Sequence, residues 1–231
     1  MADDDVTLFG KLKNKLIDSK QKWAEEGRLL TGKTAGHSVR LPPGQRQVET
    51  WPVLDLGVQP EIPTHAWRLF VDGAVETPTT WKWGEFTDLP KTRLTSDIHC
   101  VTAWSRYDNK WEGVSARDLL ALVKPKAEAK HVIFHSYDTY TTNVPLEDFA
   151  ADDVLLAWSW NGEPISREHG GPLRVVIPKL YFWKSAKWIK RVEFSGLDKP
   201  GFWEVRGYHN YGDPWLEQRY DDEASEGPKE I

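Results

Sequence analysis

From Trp67 onward the chain is built from short apolar runs separated by turn residues, and this texture restricts the fold more than any other feature. Each run has the length and the β-branched and aromatic content of a strand. The sequence has neither a fixed repeat nor a sustained alternation of strands and helices, so a doubly wound fold is not expected. We therefore predict an α+β domain with mixed β-sheets and short helices. The runs are "WRLFVDG", "HVIFHS", "VLLAWSWNGEP", "LRVVIP" and "KWIKRVEF".

Two short helices are expected between these runs, at residues 115–123 and 145–151. Ser115 and Asp118 have the spacing of a helix-capping pair in front of "LLALV", which indicates where the first helix begins. The dipeptide Asn161-Gly162 favours a tight hairpin turn.

The chain divides into three parts by composition. Residues 1–35 are predicted to be a helical extension, because apolar residues recur near helical spacing among lysines over residues 4–23. Residues 36–220 are predicted to form the main domain, and the acidic residues 221–231 a disordered tail. The segment 31–65 is rich in glycine and proline and predicts a long loop, which in a compact domain is usually functional or disordered.

The charge and the apolar runs exclude several classes of protein. With 30 lysines and arginines against 35 acidic residues, the net charge is −5, and nothing points to nucleic acid or to an anionic membrane. No apolar run has the length of a membrane span or a signal peptide, so we expect no membrane span. A single cysteine fits a reducing compartment, and a cytoplasmic location is predicted.

The single cysteine, Cys100, cannot form an internal disulfide. It is a passive packing group, a reactive thiol or a metal ligand, and the residues alone leave these three open. A thiolate would be needed for the last two roles, and a cation such as Arg106 could stabilise it. His99 is adjacent but would point to the opposite face of a continuing strand, so a Cys-His nucleophile pair is not supported.

A second candidate stretch is "REHGGPLRVVIPKLYFWKSAKWIKR", residues 167–191. Its glycine pair allows close backbone approach, Arg174 can bind phosphate bidentately, and Lys184 and Lys187 would lie one helical turn apart. The stretch fits either a cradle for a compact anion or a basic surface turn. Walker, dinucleotide and zinc-protease motifs are absent, and no pair of acids suggests glycoside hydrolysis.

Taken together, "HCVTAWS", "HGGPLRVVIP" and "KSAKWIKRVEF" resemble the molybdopterin-binding domain of the sulfite oxidase family, especially its small bacterial and archaeal members. The resemblance extends from about Arg40 to Tyr220. It implies a molybdenum-molybdopterin cofactor and two-electron oxygen-atom transfer on a small substrate such as sulfite or a sulfoxide. It also implies that Cys100 is the protein's ligand to molybdenum, which agrees with the preference of thiolates for soft metal centres.

The resemblance assigns further residues to the pterin. His169 precedes the glycine pair at a position where relatives use histidine or asparagine, and Arg174 matches an arginine of the same motif. The remaining expected contacts are a phosphate-binding turn, a small hydroxyl residue and two residues of an amino-terminal loop that closes over the pterin. These are Ser185, Ala186 and Lys187; Ser136; and Arg40 and Gln45.

The segment "GFWEVRGYHNYGDPW" resembles the one that brings a tyrosine to the metal centre, which implies a catalytic role for Tyr208. The alternative is a packed surface tyrosine. Arg106 is expected either to bind an anionic substrate or to pair with Asp108 on a loop.

The given sequence shows no counterpart of the family's haem and immunoglobulin-like domains. It also shows no iron-sulfur motif. Electrons are therefore expected to pass to or from a separate partner, a haem, iron-sulfur or flavin protein. Two other functions remain open from the residues. One is a non-catalytic molybdopterin-binding module of the same fold, and the other is a metal-free enzyme in which Cys100 attacks the substrate.

Overall fold

A computed structural model describes residues 15, 18, 19, 22 and 40–221. The four isolated residues are helical, and the rest of the predicted extension at 1–35 lies outside the described residues, as do residues 222–231 of the predicted tail. Within the described part, no helix is long and apolar enough to cross a membrane.

Strands dominate the described residues, and three short α-helices and three 3₁₀ turns connect them. The helices are α1 (Trp83–Thr87), α2 (Ala116–Val123) and α3 (Leu146–Phe149), and the 3₁₀ turns are Arg167–His169, Phe182–Lys184 and Glu204–Arg206. The strands are β1 (Arg46–Gln47), β2 (Arg68–Gly73), β3 (Thr79–Lys82), β4 (Thr92–His99), β5 (Trp104–Ser115), β6 (His131–Ser136), β7 (Thr141–Pro145), β8 (Leu155–Trp160), β9 (Glu163–Pro164), β10 (Arg174–Val176) and β11 (Ile189–Ser195).

These strands form two mixed sheets. The first has the order β1-β5-β8-β10, with β4 also paired to β5 and β9 to β8, and the second has the order β3-β2-β11-β6-β7. The pairs β1/β5 and β2/β11 are parallel, whereas the other pairs are antiparallel. Two mixed sheets with few short helices confirm the predicted α+β class.

The two faces of the first sheet bury different cores. In β8, Leu156 belongs to the main core, which also holds residues of the second sheet and of all three helices, whereas Leu155 belongs to a second core. Neighbouring residues of β10 divide in the same way, with Val175 in the main core and Val176 in the second. This alternation is the two-residue period of a strand that is buried on both faces.

The sequence signals for local structure are confirmed. Ser115 caps α2 by accepting a hydrogen bond from the Asp118 backbone N–H at 3.0 Å. Asn161 and Gly162 have positive φ angles of 52° and 89° and join β8 to β9 in a tight hairpin. The helix predicted at 145–151 is present but shorter, as α3.

The glycine- and proline-rich segment is a long connection in the part that the structure describes, from residue 40. Its only regular element is β1, and its remaining residues are irregular. Val48 and Trp51 of this segment are buried in the second core beside Cys100. The segment therefore covers the face of the first sheet on which the cysteine lies.

Candidate functional site

An open cleft lies over the second core and encloses about 920 Å³ of empty space, including its mouth. Aromatic side chains form much of its wall, and Cys100 and Tyr208 both line it. The aromatic residues are Trp51, Trp104, Tyr140, Phe182, Trp183, Trp188, Trp203 and Tyr208.

Cys100 is held in the tight connection between β4 and β5. Its backbone N–H donates to the Trp104 carbonyl at 2.8 Å, and its carbonyl accepts from Ala103 N–H at 3.0 Å. Ala103 closes the turn with a φ of 65°. The Thr102 hydroxyl donates to the Cys100 sulfur at 3.2 Å. Hydrogen bonds to the Cys100 backbone and to its sulfur therefore fix the position of the thiol.

Burial raises the pKa of the Cys100 thiol, and the hydrogen bond from Thr102 and the charge of Arg219 oppose this shift without overcoming it. Without a bound metal ion, the thiol is therefore protonated. A soft metal ion supplies the charge that a thiolate requires. The chemistry of this donor fits a metal ligand better than a free nucleophile.

His99 does not line the cleft, as the strand alternation predicts. Its Nδ1 lies 2.8 Å from the Ser105 hydroxyl oxygen. Burial lowers the pKa of His99 to about 4, so its ring is neutral at pH 7. His99, the sequence neighbour of Cys100, is therefore not placed to act as a base for the thiol.

The glycine pair allows its own backbone to approach neighbouring groups closely. Gly170 has a φ of 108°, and a Cβ at this residue would come within 2.9 Å of the Lys187 side chain. The preceding His169 contacts the Trp51 carbonyl through Nε2 at 3.1 Å and the Ser166 hydroxyl through Nδ1 at 2.9 Å. Because a carbonyl can only accept, Nε2 carries the proton. Burial lowers the pKa of His169, which keeps the ring neutral.

Arg174 is a buried cation on the cleft wall. It donates to the carbonyls of His169 at 2.6 Å and Ser185 at 2.8 Å, and its guanidinium lies 4.1 Å from the Phe182 ring centroid. Among the described residues, no carboxylate lies within salt-bridge distance of it. Burial lowers the pKa of Arg174 to about 9. A buried cation without a carboxylate fits a site that receives an anion from a ligand.

The predicted phosphate-binding turn lies on the same wall. Ser185, Ala186 and Lys187 all line the cleft, and Lys187 Nζ donates to the carbonyls of Leu54 at 2.8 Å and Glu168 at 2.9 Å. The backbone amide of Ile177 donates to the Ser185 hydroxyl oxygen at 2.9 Å. Because Ser185 accepts in this bond, the proton of its hydroxyl can turn towards a ligand.

The expectation that Lys184 and Lys187 share one helical face is wrong. The 3₁₀ turn ends at Lys184, so the helical spacing does not continue to Lys187. Lys184 is instead fully buried and forms an ion pair of 2.6 Å with Glu204. It does not line the cleft.

Tyr208 is buried against two tryptophans on the cleft wall. Its ring stacks on Trp203 with a centroid distance of 4.8 Å and meets Trp183 edge-on at 5.2 Å. The 3₁₀ turn Glu204–Arg206 lies between Trp203 and Tyr208 and brings the two rings together. The tyrosine is therefore a fixed element of the site.

Four predicted residues do not line the cleft. Gln45 contacts the turn that carries Cys100, because its side-chain amide donates to the Cys100 carbonyl at 3.0 Å. Ser136 ends β6, and its buried hydroxyl has no hydrogen-bond partner among the described residues. Arg40 pairs with Asp97 at 2.6 Å and Asp108 at 2.8 Å.

Arg106 likewise lies outside the cleft. Its guanidinium covers the Trp160 ring at 4.7 Å and its Nε donates to the Glu49 carbonyl at 3.1 Å. The Asp108 carboxylate pairs with Arg40 instead, so the expected pairing of Arg106 with Asp108 is not seen among the described residues, and binding of an anionic substrate by Arg106 stays a prediction.

Several lining residues escaped the sequence reasoning. Trp51 and Leu54 belong to the long loop, and their carbonyls hold His169 and Lys187. Asp138 and Tyr140 follow β6, two and four residues after Ser136. A loop tryptophan gives a weak signal, and backbone carbonyls give none, because any residue type supplies them.

The family model of the oxidoreductase molybdopterin binding domain matches residues 56–203, which include Cys100, the glycine pair and the 185–187 turn. The chain belongs to this family. It is an oxidoreductase whose domain takes a molybdenum-molybdopterin cofactor. Cys100, Arg174 and the 185–187 turn fit that group, because they offer it a thiol, a buried cation and hydrogen-bond donors.

Similar proteins cover this domain to different extents. The chain is 46% identical over 195 residues to the uncharacterized oxidoreductase YuiH of Bacillus subtilis, covering 83% of this chain and 98% of that protein. It is 26% identical to the protein-methionine-sulfoxide reductase catalytic subunit MsrP of Ralstonia nicotianae, over 64% of this chain and 49% of that one. It is 34% identical to mitochondrial sulfite oxidase of Drosophila melanogaster, over 44% of this chain and 19% of the oxidase.

A solved structure supports the fold. The sulfane dehydrogenase SoxCD from Paracoccus pantotrophus superposes with a TM-score of 0.55 at 24% identity, covering 60% of this chain and 40% of that one. The chain thus spans nearly all of the Bacillus protein but half or less of the MsrP and sulfite oxidase chains above.

Proposed function

We propose that this protein is a molybdenum enzyme that transfers an oxygen atom between water and a small substrate, such as sulfite or a sulfoxide, in two-electron steps. The carrying observation is that Cys100, Tyr208 and the buried Arg174 line one cleft. Relatives named as a sulfite oxidase and a methionine-sulfoxide reductase support this class of reaction.

The cofactor, when bound, supplies a metal that accepts and releases oxygen and electron pairs. Cys100 would bind that metal as a thiolate and would lose its proton on binding. Thr102 then continues to donate to the sulfur, which holds the thiolate in place and withdraws electron density from it. Gln45 keeps the Cys100 carbonyl, and hence the turn, in position.

The pterin end is held by residues on the glycine-turn side of the cleft. Arg174 provides a charge that no described carboxylate neutralises, and Lys187 lies in the adjoining turn. Ser185 provides a hydroxyl, Ala186 provides backbone on the cleft wall, and His169 donates through Nε2. His169 Nε2 and Lys187 Nζ donate to the Trp51 and Leu54 carbonyls, so these two donors would have to leave the loop carbonyls to bind a phosphate.

Tyr208 acts at the substrate. Its phenol is held between two tryptophans and can donate a hydrogen bond to the substrate oxygen or move a proton to it. The aromatic walls around it exclude water, which strengthens that hydrogen bond.

Electrons are exchanged with a separate redox partner, a haem, iron-sulfur or flavin protein, and the enzyme works in the cytoplasm. A module without catalysis would not need Tyr208 on the cleft. A metal-free thiol enzyme is disfavoured, because burial raises the pKa of Cys100 and its sequence neighbour His99 does not line the cleft.

Metal analysis tests the proposal. Protein from molybdate-supplied cells that make the cofactor should contain near-stoichiometric molybdenum by inductively coupled plasma mass spectrometry. Cys100→Ser should lose the metal or bind it without activity, whereas Thr102→Val, which keeps the thiol, should retain it. Folded protein that lacks molybdenum under these conditions, or a fully active metal-free protein, would sink the proposal.

A further inference from the structure

The indole N–H of Trp104 is a buried hydrogen-bond donor without an acceptor in the part of the chain that the structure describes. Trp104 keeps 1% of its surface exposed and lines the cleft. An indole nitrogen can only donate, so no shift of its own proton supplies a partner. Because nearly all buried polar groups in proteins are hydrogen-bonded, this donor requires a physical explanation.

Two other tryptophans that line the cleft have their indole N–H groups paired within the protein. Trp188 donates to the Arg167 carbonyl at 2.7 Å, and Trp183 donates to the Glu204 carboxylate at 3.0 Å. The fold therefore supplies acceptors to indole groups on the same wall. Among the described residues it supplies none to Trp104, although this ring is as deeply buried as that of Trp188.

Other buried polar atoms that lack a partner among the described residues belong to side chains that do not line the cleft. They include the Trp67 indole nitrogen, the Ser136 hydroxyl and the Tyr181 hydroxyl. Trp104 differs from these three because its unsatisfied donor belongs to a residue of the cleft wall. A molecule bound in the cleft is therefore a possible source of the missing acceptor for Trp104 alone of these four.

The connection between β4 and β5 places Trp104 on the same side as Cys100. The Cys100 N–H donates to the Trp104 carbonyl at 2.8 Å. The next residues outward, His99 and Ser105, are register partners, and their side chains meet at 2.8 Å without lining the cleft. Because successive side chains of a strand point to opposite faces, Cys100 and Trp104 face the cleft together, and both belong to the second core.

We propose that Trp104 is a cofactor-binding residue whose indole N–H donates a hydrogen bond to a sulfur or oxygen atom of the cofactor that Cys100 binds; this inference rests on the proposed function. The Thr102 hydroxyl already donates to the Cys100 sulfur, so one turn would supply two donors to the metal centre. Hydrogen bonds around a metal centre withdraw electron density from it and tune its reduction potential. The indole therefore both holds the cofactor and favours its reduced state.

Trp104→Phe tests the inference, because it keeps an aromatic ring and removes the N–H. The variant breaks no side-chain hydrogen bond of the described cofactor-free protein, but it loses the proposed bond in the holoenzyme. We expect the cofactor to dissociate roughly tenfold faster, the effect of one hydrogen bond from a buried donor, measured as molybdenum lost after dilution and gel filtration. The rise in melting temperature that cofactor loading produces should be smaller than in the wild type.

Trp67→Phe is the matched control. Trp67 is fully buried in the main core, its indole N–H likewise has no acceptor among the described residues, and it does not line the cleft. This variant makes the same change in size and should leave both the dissociation rate of the cofactor and the cofactor-linked rise in melting temperature unchanged. Equal effects of the two variants on these quantities would overturn the inference, because the N–H on the cleft wall would then have no special role.

Nuclear magnetic resonance of the wild-type protein with isotope-labelled tryptophan tests the same bond without a substitution, and it remains decisive if Trp104→Phe fails to fold. The Trp104 indole proton should move downfield and exchange more slowly with water when the cofactor is bound, whereas the Trp67 indole signal should stay in place. A Trp104 signal that is the same with and without bound cofactor would overturn the inference.

The reduction potential separates this inference from the function on which it rests. Trp104→Phe should lower the midpoint potential of the bound metal, followed by electron paramagnetic resonance, because a group that withdraws electron density is removed. Unchanged cofactor retention and potential with a higher KM would assign the donor to the substrate and overturn the inference. Wild-type protein that binds no molybdenum would instead refute the proposed function, and molybdenum-loaded protein in which Trp104→Phe changes nothing would refute this inference alone.

Discussion

Replacing Lys184 by methionine should destabilise the cofactor-free protein by about 4 kcal/mol, in the range of buried ion pairs that lose one partner. Lys184 and Glu204 are paired at 2.6 Å with side-chain exposures of 0% and 1%. The change leaves the Glu204 carboxylate buried with two other donors, the Thr142 hydroxyl at 2.7 Å and the Trp183 indole at 3.0 Å. These donors keep the cost below the upper limit for an unpaired buried charge.

The variant also removes a donor from buried acceptors. Lys184 donates to the Asn143 carbonyl at 2.9 Å and to the Asn210 carbonyl at 2.6 Å. Each acceptor left without a donor costs about 1 kcal/mol or more. The double variant Lys184→Met/Glu204→Gln removes the uncompensated charge but not these losses, so it should cost only about 2 kcal/mol.

Urea unfolding followed by tryptophan fluorescence measures both values, with unchanged m-values as the condition for comparing midpoints. Lys199→Met, which breaks a half-exposed pair with Glu193, is the matched control and should cost less than about 1 kcal/mol. The reasoning is refuted if Lys184→Met costs no more than the control. It is also refuted if the double variant costs the sum of the two single variants, because the pair would then be uncoupled.

Three further outcomes follow from the structure. Ser115→Ala should lower the free energy of unfolding by about 1 kcal/mol in urea, because α2 loses its cap; no loss would contradict the capping role. Tyr208→Phe should lower kcat by roughly a hundredfold at unchanged molybdenum content, and loss of the metal would instead assign the phenol to cofactor binding. Burial lowers the pKa of His99 to about 4, so its stabilisation is full above pH 6.5 and falls by about 3 kcal/mol as the pH drops towards 4. His99→Gln should flatten this part of the stability curve.

Much of the fold was predictable because its signals are local. The Ser115 cap and the Asn161-Gly162 turn act within a few residues, and strand texture depends on residue type. Sequence patterns gave a wrong prediction where tertiary contacts decide which side chain is buried. Lys184 and Lys187 are three residues apart and both cationic, yet the turn that ends at Lys184 buries one and leaves the other on the cleft.

The two fully buried cations near the cleft show why such roles require a structure. Lys184 has a carboxylate partner, so its charge is compensated within the protein and serves the packing of Trp183 beside Tyr208. Among the described residues, Arg174 contacts carbonyls and aromatic faces but forms no ion pair with a carboxylate, so an anionic ligand would compensate its buried charge. Composition and spacing treat the two as equivalent basic residues. The presence or absence of a buried carboxylate therefore separates a structural cation from a candidate ligand-binding one, and it favours Arg174 over Lys184 in the proposal for the phosphate end of the cofactor.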